Sequence, residues 1–142
     1  MLALMDEVAR DPGAWVNLEP AMDPEADPPP SSSLFGIFSA VGPAVPVCTW
    51  VPGKRRGERT EPMSLGVEHG SGPRAVARLE ARGVTVPAGW RVRQDHPRRG
   101  LVLEAPADQD HDSVLDWLLR AGPALSVVPL TGTWLAAVFR SS

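Results

Sequence analysis

The sequence predicts an α+β domain with the ferredoxin-like, split-βαβ order, in which an antiparallel sheet carries two helices on one face. Three observations predict this fold. Short runs of alternating apolar residues read as strands, two segments with apolar residues at helical spacing lie between them, and the order of elements from Met63 is β-α-β-β-α-β with one further strand. Additional strands are expected from the N-terminal side, and 142 residues suit a single domain.

The N-terminal part of the chain is acidic and rich in proline. Residues 1–31 hold seven acidic residues and one basic residue, a net charge of −6, whereas the rest of the chain has a net charge of +3. Residues 1–33 are therefore interpreted as a leader, with a docked segment near 14–18 and a linker over 19–33. The single domain covers 34–142, with its core over 63–140. Before the docked segment, Leu2 to Arg10 predicts a short helix.

Two apolar segments precede the predicted core. Ser33 to Ala40 is apolar enough for a strand or a short helix, and Val45 to Val51 predicts a strand. Pro46 lacks an N–H donor, so this second strand is expected at a sheet edge or to have Pro46 among its first residues. Pro52 to Arg59 reads as an exposed turn.

The first β-α unit has clear boundary signals. Glu61 to His69 alternates apolar and polar residues, which predicts a strand. Ser71 is the expected N-cap of the following helix, with Pro73 in its first turn. Gly83 is the expected residue just after the helix.

The second half predicts a hairpin, a helix and two strands. The hairpin pairs Trp90–His96 with Leu101–Ala105, and alternation places Arg91, Arg93 and Asp95 on one face. The second helix is expected to start at Asp110 or Asp112 and to end at Gly122-Pro123. The two predicted strands are Leu125–Val128 and Thr133–Phe139.

Composition excludes several classes of protein. A single cysteine, Cys48, allows no intrachain disulfide or thiolate metal cluster, and its apolar neighbours predict a buried residue. The chain contains no tyrosine, which excludes sites that need a phenol. Neither a signal peptide nor an uninterrupted apolar run long enough for a membrane span is present, so we expect a cytoplasmic protein.

An anion site is one candidate for chemistry. A glycine-rich loop from His69 leads into a helix at Ser71, and amide groups at such a junction can bind phosphate or carboxylate with help from Arg74. The loop matches neither GxxxxGK[ST] nor GxGxxG. The alternative is an ordinary helix start.

A basic surface is the second candidate. Lys54, Arg55 and Arg56 lie in one predicted turn, and Arg98 and Arg99 lie in another. Together they could contact phosphates, although the aromatic pattern of RNA-binding sheets is absent. The alternative is a solvated surface neutralised by nearby acids.

A polar site built on His69, Asp95 and His96 is the third candidate. Two histidines and a carboxylate are acceptable metal ligands or acid–base groups. However, no HExxH spacing, cysteine pair or GxSxG motif accompanies them. We therefore expect no catalytic residue, no metal and no cofactor.

The favoured interpretation is a non-enzymatic binding or accessory module that recognises a protein partner, or a second copy of itself, through a sheet edge or a tryptophan-bearing surface. The acidic leader is expected to contact the basic body of the domain. The first alternative is a phosphate-ligand or nucleic-acid contact module that uses the arginine-rich surface. The weaker alternative is a hydrolase or metal enzyme that uses His69, Asp95 and His96. No membrane association is expected.

Overall fold

In the part of the chain that the structure describes, alternating apolar residues build a six-stranded antiparallel sheet, which three helices cover on one face. The computed structural model describes residues 1–22 and 42–141 of the chain. The helices are α1 (Leu2–Ala9), α2 (Ala75–Ala81) and α3 (His111–Ala124). The strands are β1 (Ala14–Met22), β2 (Val47–Val51), β3 (Arg55–Arg56), β4 (Arg59–Thr60), β5 (Met63–Glu68), β6 (Arg91–His96), β7 (Gly100–Ala105) and β8 (Leu130–Arg140).

The predicted α+β class is confirmed, whereas the ferredoxin-like order is not. The strand order is β6-β7-β5-β2-β1-β8, with β3 and β4 forming a separate short hairpin. Strand β7 lies between β5 and β6, as a split βαβ unit requires. The other side of β5 is occupied by β2, which pairs with it from Val47 to Val51. The last strand, β8, therefore pairs with β1 at the far edge.

The two N-terminal strands lie inside the sheet. Of the two alternatives for Val45–Val51, the sheet edge is wrong, because β2 has β1 on one side and β5 on the other. The other alternative, with Pro46 at the start of the strand, agrees with the position of β2. Pro46 is tolerated because it precedes the first residue of β2. The linker boundary at residue 19 is also wrong, since β1 continues to Met22. The remainder of the predicted linker and the Ser33–Ala40 element, up to residue 41, lie outside the described residues.

One face of the sheet, the helix face, holds the core. Ala14, Val16 and Leu18 of β1 are buried there, because alternate residues of a strand point to the same face. The same face carries buried residues from the neighbouring strands and the apolar sides of the helices: Cys48, Trp50, Met63, Leu65, Val67, Leu101, Leu103, Leu79, Trp117 and Leu118. Within the described ranges, no helix packs on the opposite face, which we call the open face.

Helix α2 begins later than predicted. Ser71 is not its N-cap, because the helix starts at Ala75. Instead, the carboxylate of Asp95 on β6 accepts hydrogen bonds from the amides of Ala75 and Val76, at 3.0 and 3.1 Å. The C-terminal prediction is confirmed: Gly83, at φ +78°, follows the helix, and its N–H donates to the Glu80 carbonyl.

Helix α3 is longer than predicted, and the strand expected at Leu125–Val128 is absent. The helix continues through Gly122 and Pro123 to Ala124. Gly122 is needed at the contact with the sheet, because an added Cβ would lie 2.9 Å from Trp134 Cη2 and 3.1 Å from Cys48 Sγ. Gly122 was interpreted from the sequence as a residue that ends the helix, but in the structure it allows the helix to pack closely on the sheet.

Candidate functional site

His69 is fully buried at the end of β5. Its Nδ1 atom accepts a hydrogen bond from the Ser71 amide at 3.3 Å and lies 2.8 Å from the Ser71 hydroxyl oxygen. The neutral ring therefore carries its proton on Nε2, which has no partner among the described residues. Burial lowers the pKa of His69, Arg78 lowers it further, and Asp95 opposes the shift. The histidine is thus held neutral inside the loop that enters α2.

Asp95 and His96 serve backbone groups near this loop. Both carboxylate oxygens of Asp95 accept from α2, as described above. His96 Nδ1 accepts from the amides of Arg98 and Arg99, at 3.1 and 3.2 Å, and so stabilises the β6–β7 turn. The three residues of the predicted polar site lie at the same end of the sheet. However, the Nδ1 atoms of both histidines and both carboxylate oxygens of Asp95 already accept hydrogen bonds from loop or helix amides. Among residues 1–22 and 42–141, no group of three or more His, Cys, Asp or Glu is arranged to hold a metal ion.

The predicted basic residues divide between the two ends of the sheet. Arg98 and Arg99 lie in the β6–β7 turn, at the end where β5 finishes. Lys54, Arg55 and Arg56 follow the last residue of β2, which pairs with Ser64 near the start of β5. The five residues of β2 separate these ends by about 17 Å or more, at about 3.4 Å per residue. The two clusters therefore do not form one site.

A groove of about 340 Å³ lies beside the first basic cluster. It is lined by Lys54, Arg55 and Arg56 together with Asp11 and uncharged residues of segments 9–13 and 52–53. Arg56 forms an ion pair with Glu61 at 3.0 Å, and the Arg55 side chain donates to the Gly57 carbonyl. Two of the three cations are thus partly engaged within their own hairpin.

Arg99 and Arg74 are placed differently. Arg99 lines a depression of about 220 Å³ on the open face, together with Glu68, Thr49 and Gly66. Arg74 is exposed and precedes α2 with φ +59°. Since α2 has seven residues and its first amides bind Asp95, the predicted anion site at Ser71 and Arg74 has few free donors.

The position of strand β8 at a sheet edge is the feature that the sequence did not reveal, although a strand over Thr133–Phe139 was predicted. The strand has eleven residues and lies at the edge of the sheet, where the described part of the chain places no strand on its outer side. Arg140 is its one charged residue, and it forms an ion pair with Asp11 of the acidic segment. Leu135 is 67% exposed and Phe139 is 43% exposed. The sequence signal was the uncharged run from Leu130 to Phe139.

Apolar side chains continue from β8 onto the open face. Phe139 is paired with Trp15 of β1, and their rings stack with centroids 5.7 Å apart. Trp134 lies on the helix face of β8, half-buried against Gly122. The other three tryptophans, Trp50, Trp90 and Trp117, are buried. Tryptophan-bearing surface is thus concentrated beside β8.

The opposite edge of the sheet, β6, has another character. Its six residues include Arg91, Arg93 and Asp95. The pairing register shifts between Val92 and Gln94, which marks a bulge. Because of this bulge, Arg93 and Asp95 do not share one face of the strand as predicted. Arg93 approaches Glu104 at 3.5 Å, whereas Asp95 binds α2.

Cys48 contributes no reactive group. It is fully buried, its thiol donates a long hydrogen bond to the Leu118 carbonyl at 3.7 Å, and burial raises its pKa to about 12. The thiolate form that nucleophilic chemistry requires is therefore disfavoured. The prediction of a buried cysteine is confirmed.

No protein-family model matches the chain, and neither a curated protein nor a solved structure shows significant similarity to it. In the described part of the chain, each helix is too short or too polar to cross a membrane.

Proposed function

We propose that this protein is a binding module that takes up an extended segment of another protein chain along the outer edge of β8, which pairs with no other strand in the described residues. An edge strand carries a row of unpaired backbone N–H and C=O groups, and an added strand pairs with them. The observation that carries this proposal is the combination of length and neutrality: eleven residues with a single charged side chain, at the strand's end.

Side-chain exposure supports the same surface. Leu135 and Phe139 project from the open face of β8, and Trp15 extends the apolar area inward. An added strand would cover these side chains while its backbone pairs with β8. Every second side chain of the incoming segment would then lie on the open face beside Leu135 and Phe139, which selects segments with apolar residues at those positions. We therefore propose β8 as the sheet edge that binds, because Val45–Val51 lies inside the sheet.

A display library of random twelve-residue peptides, screened on sparsely immobilised full-length protein, tests the proposal. We expect enrichment of peptides with alternating apolar residues, whose binding weakens about tenfold or more with Leu135→Lys, since charges on an edge strand disfavour pairing. Val92→Lys on β6 is the matched control and should retain binding. Methylating alternate amides of a selected peptide should abolish binding, because strand addition uses backbone donors.

Two results would contradict strand addition at β8. One is a library without enriched peptides, and the other is a set of peptides that bind Leu135→Lys as well as they bind the wild-type protein.

The phosphate-contact alternative is favoured by one observation, the groove beside Lys54, Arg55 and Arg56. It applies to this cluster alone, because Arg98 and Arg99 lie at the other end of the sheet. Binding of inorganic polyphosphate or a single-stranded oligonucleotide should weaken steeply as salt rises, since phosphate contacts release counterions. Salt-insensitive binding, or binding that survives Lys54→Ala with Arg55→Ala, argues against this function.

A further inference from the structure

We infer that the chain taken up by β8 is the β8 strand of a second copy of this protein, so that two six-stranded sheets join about a two-fold axis at Ala137. The inference rests on the proposed strand addition and names its partner. It is carried by three features of β8: where its regular part lies, how its exposed side chains are distributed, and where its charge is.

The regular part of β8 is seven residues long. From Trp134 to Arg140 the strand pairs with β1 without interruption. Before Trp134 the register shifts, and Gly132 adopts φ +87°, a conformation that suits a bulge. A regular added strand therefore pairs best over Trp134–Arg140, whose midpoint is Ala137.

Two-fold symmetry at this midpoint matches the exposed side chains to each other. The axis makes the two copies of β8 antiparallel and the interface self-complementary. Residues equally far from Ala137 then lie opposite each other, so Leu135 of each copy meets Phe139 of the other. These are the two exposed large apolar residues of the strand, at 67% and 43% exposure. The Leu135–Phe139 contact therefore forms twice, once on each side of the two-fold axis.

The remaining pairs fit the same register. Ala137 lies opposite its own copy, and Ala136 lies opposite Val138 of the second copy, so small side chains occupy the centre. Aromatic and aliphatic residues that face each other across antiparallel strands stabilise a sheet. Because odd-numbered residues face odd-numbered ones, both open faces point the same way and the helices of both copies cover the same side.

Charge selects a second copy over a charged partner. Arg140 is the single charged residue of the regular part, and Asp11 of the same chain already neutralises it. In the symmetric register Arg140 lies opposite Trp134 of the second copy rather than another cation. Two copies therefore approach without like charges in contact, while a charged peptide meets no charged side chain along residues 134–140 except Arg140, which Asp11 already pairs.

Sedimentation equilibrium of the full-length protein, from about 1 μM to about 1 mM, tests the association. We expect a monomer–dimer equilibrium that Leu135→Lys weakens about tenfold or more, because the lysine would lie opposite Phe139 of the second copy. Val92→Lys, on the other edge strand, should leave the equilibrium unchanged. A monomer throughout this range, or a dimer that survives Leu135→Lys, overturns the inference.

A cross-linking experiment tests the register. Directly opposed residues in an antiparallel pair have Cα atoms about 4.5 or 5.5 Å apart, and disulfides form at about 4.4–6.8 Å. Ala137→Cys should therefore give a disulfide-linked dimer on mild oxidation. Leu135→Cys is the matched control, since its two copies would be four residues out of register, about 13 Å apart. Cys48 should not compete, because it is buried and its pKa is raised to about 12.

The outcomes separate the two proposals. A monomeric protein without Ala137→Cys cross-linking, whose selected peptides still depend on Leu135, refutes the second copy but keeps strand addition. A protein in which neither self-association nor peptide binding depends on Leu135 refutes both. Cross-linking of Leu135→Cys in place of Ala137→Cys refutes the axis at Ala137.

Discussion

The two edges of the sheet are built in opposite ways. Strand β6 is short, bulged between Val92 and Gln94, and carries Arg91, Arg93 and Asp95. Charges and bulges are the usual means by which proteins prevent an edge from pairing with another chain. Strand β8 has eleven residues, exposes Leu135, and carries its single charge at the end. One edge is protected against pairing, whereas the other has little protection beyond the bulge at Gly132.

The edges also differ in how they are attached to the core. Strand β6 is fixed to α2 by the two hydrogen bonds to Asp95. Strand β8 is held by its pairing with β1 and by Trp134, which lies against Gly122 of α3. Strand β6 uses the polar side chain of Asp95 to hold α2. An edge strand that binds another chain, as proposed for β8, must leave the N–H and C=O groups on its outer side unpaired. Four predictions test this contrast.

The largest expected effect is at the attachment of β8. Gly122→Ala should lower the free energy of unfolding by about 1–3 kcal/mol, because the new Cβ would crowd Trp134 and Cys48. Helix propensity alone favours alanine over glycine by about 1 kcal/mol, so the sign of the change is diagnostic. Urea unfolding measures the change. A more stable Gly122→Ala protein would show that α3 and β8 do not pack this closely.

The attachment of β6 should be the next in size. Asp95→Ala removes the acceptor for two amides of α2 and should cost about 0.5–2 kcal/mol, the range of lost helix caps. Arg93→Ala on the same strand should change stability by less than about 0.5 kcal/mol, because its contact with Glu104 is solvent-exposed. Equal effects of the two substitutions in urea unfolding would contradict the capping role.

Acid should lower the stability of the protein through His69, which is buried at the end of β5. Burial lowers the pKa of His69 in the folded protein, so the unfolded chain takes up the proton first as pH falls below about 6.5. The free energy of unfolding should therefore decrease from pH 7.5 to 5.5. His69→Asn keeps an acceptor near Ser71 but cannot titrate, so its decrease should be smaller. Equal pH dependence of the two proteins would contradict a neutral, buried His69.

The smallest expected effect is that of Leu135→Lys on the stability of the monomer. The side chain is two-thirds exposed, so the free energy of unfolding should change by less than about 0.5 kcal/mol at low protein concentration. Val92→Lys should behave alike. Thermal unfolding at several concentrations measures both, and a large loss with Leu135→Lys alone would mean that Leu135 supports the fold rather than binding.

Local patterns predicted the elements on either side of α2 well. The alternation in β5, the hairpin of β6 and β7, and Gly83 after α2 depend on residues close in sequence, and all are confirmed. The start of α2 was missed because its cap, Asp95, is twenty residues away. Gly122-Pro123 was misread because a glycine that permits close packing looks like one that ends a helix.

The candidate site was less predictable than the elements. The basic residues and the histidines were easy to identify by type, yet strand direction places the two basic clusters at opposite ends of the sheet. Backbone amides donate to the Nδ1 atoms of His69 and His96. Strand β8 was predicted in part, from Thr133 to Phe139, but its position at an edge depends on β1 pairing with it. Exposure of Leu135 follows from that pairing and not from its neighbours in sequence.

By itself the sequence determined the α+β class, most strands, the buried Cys48 and the small number of charges in the last strand. These follow from periodicity, turn residues and composition, which act over a few residues. Only the tertiary structure decided the strand order, and with it which strands became edges. An edge is defined by the strand that is missing beside it, and strand pairing joins residues as far apart as Ala14 and Arg140. That non-local choice made β6 a protected edge and β8 the free one.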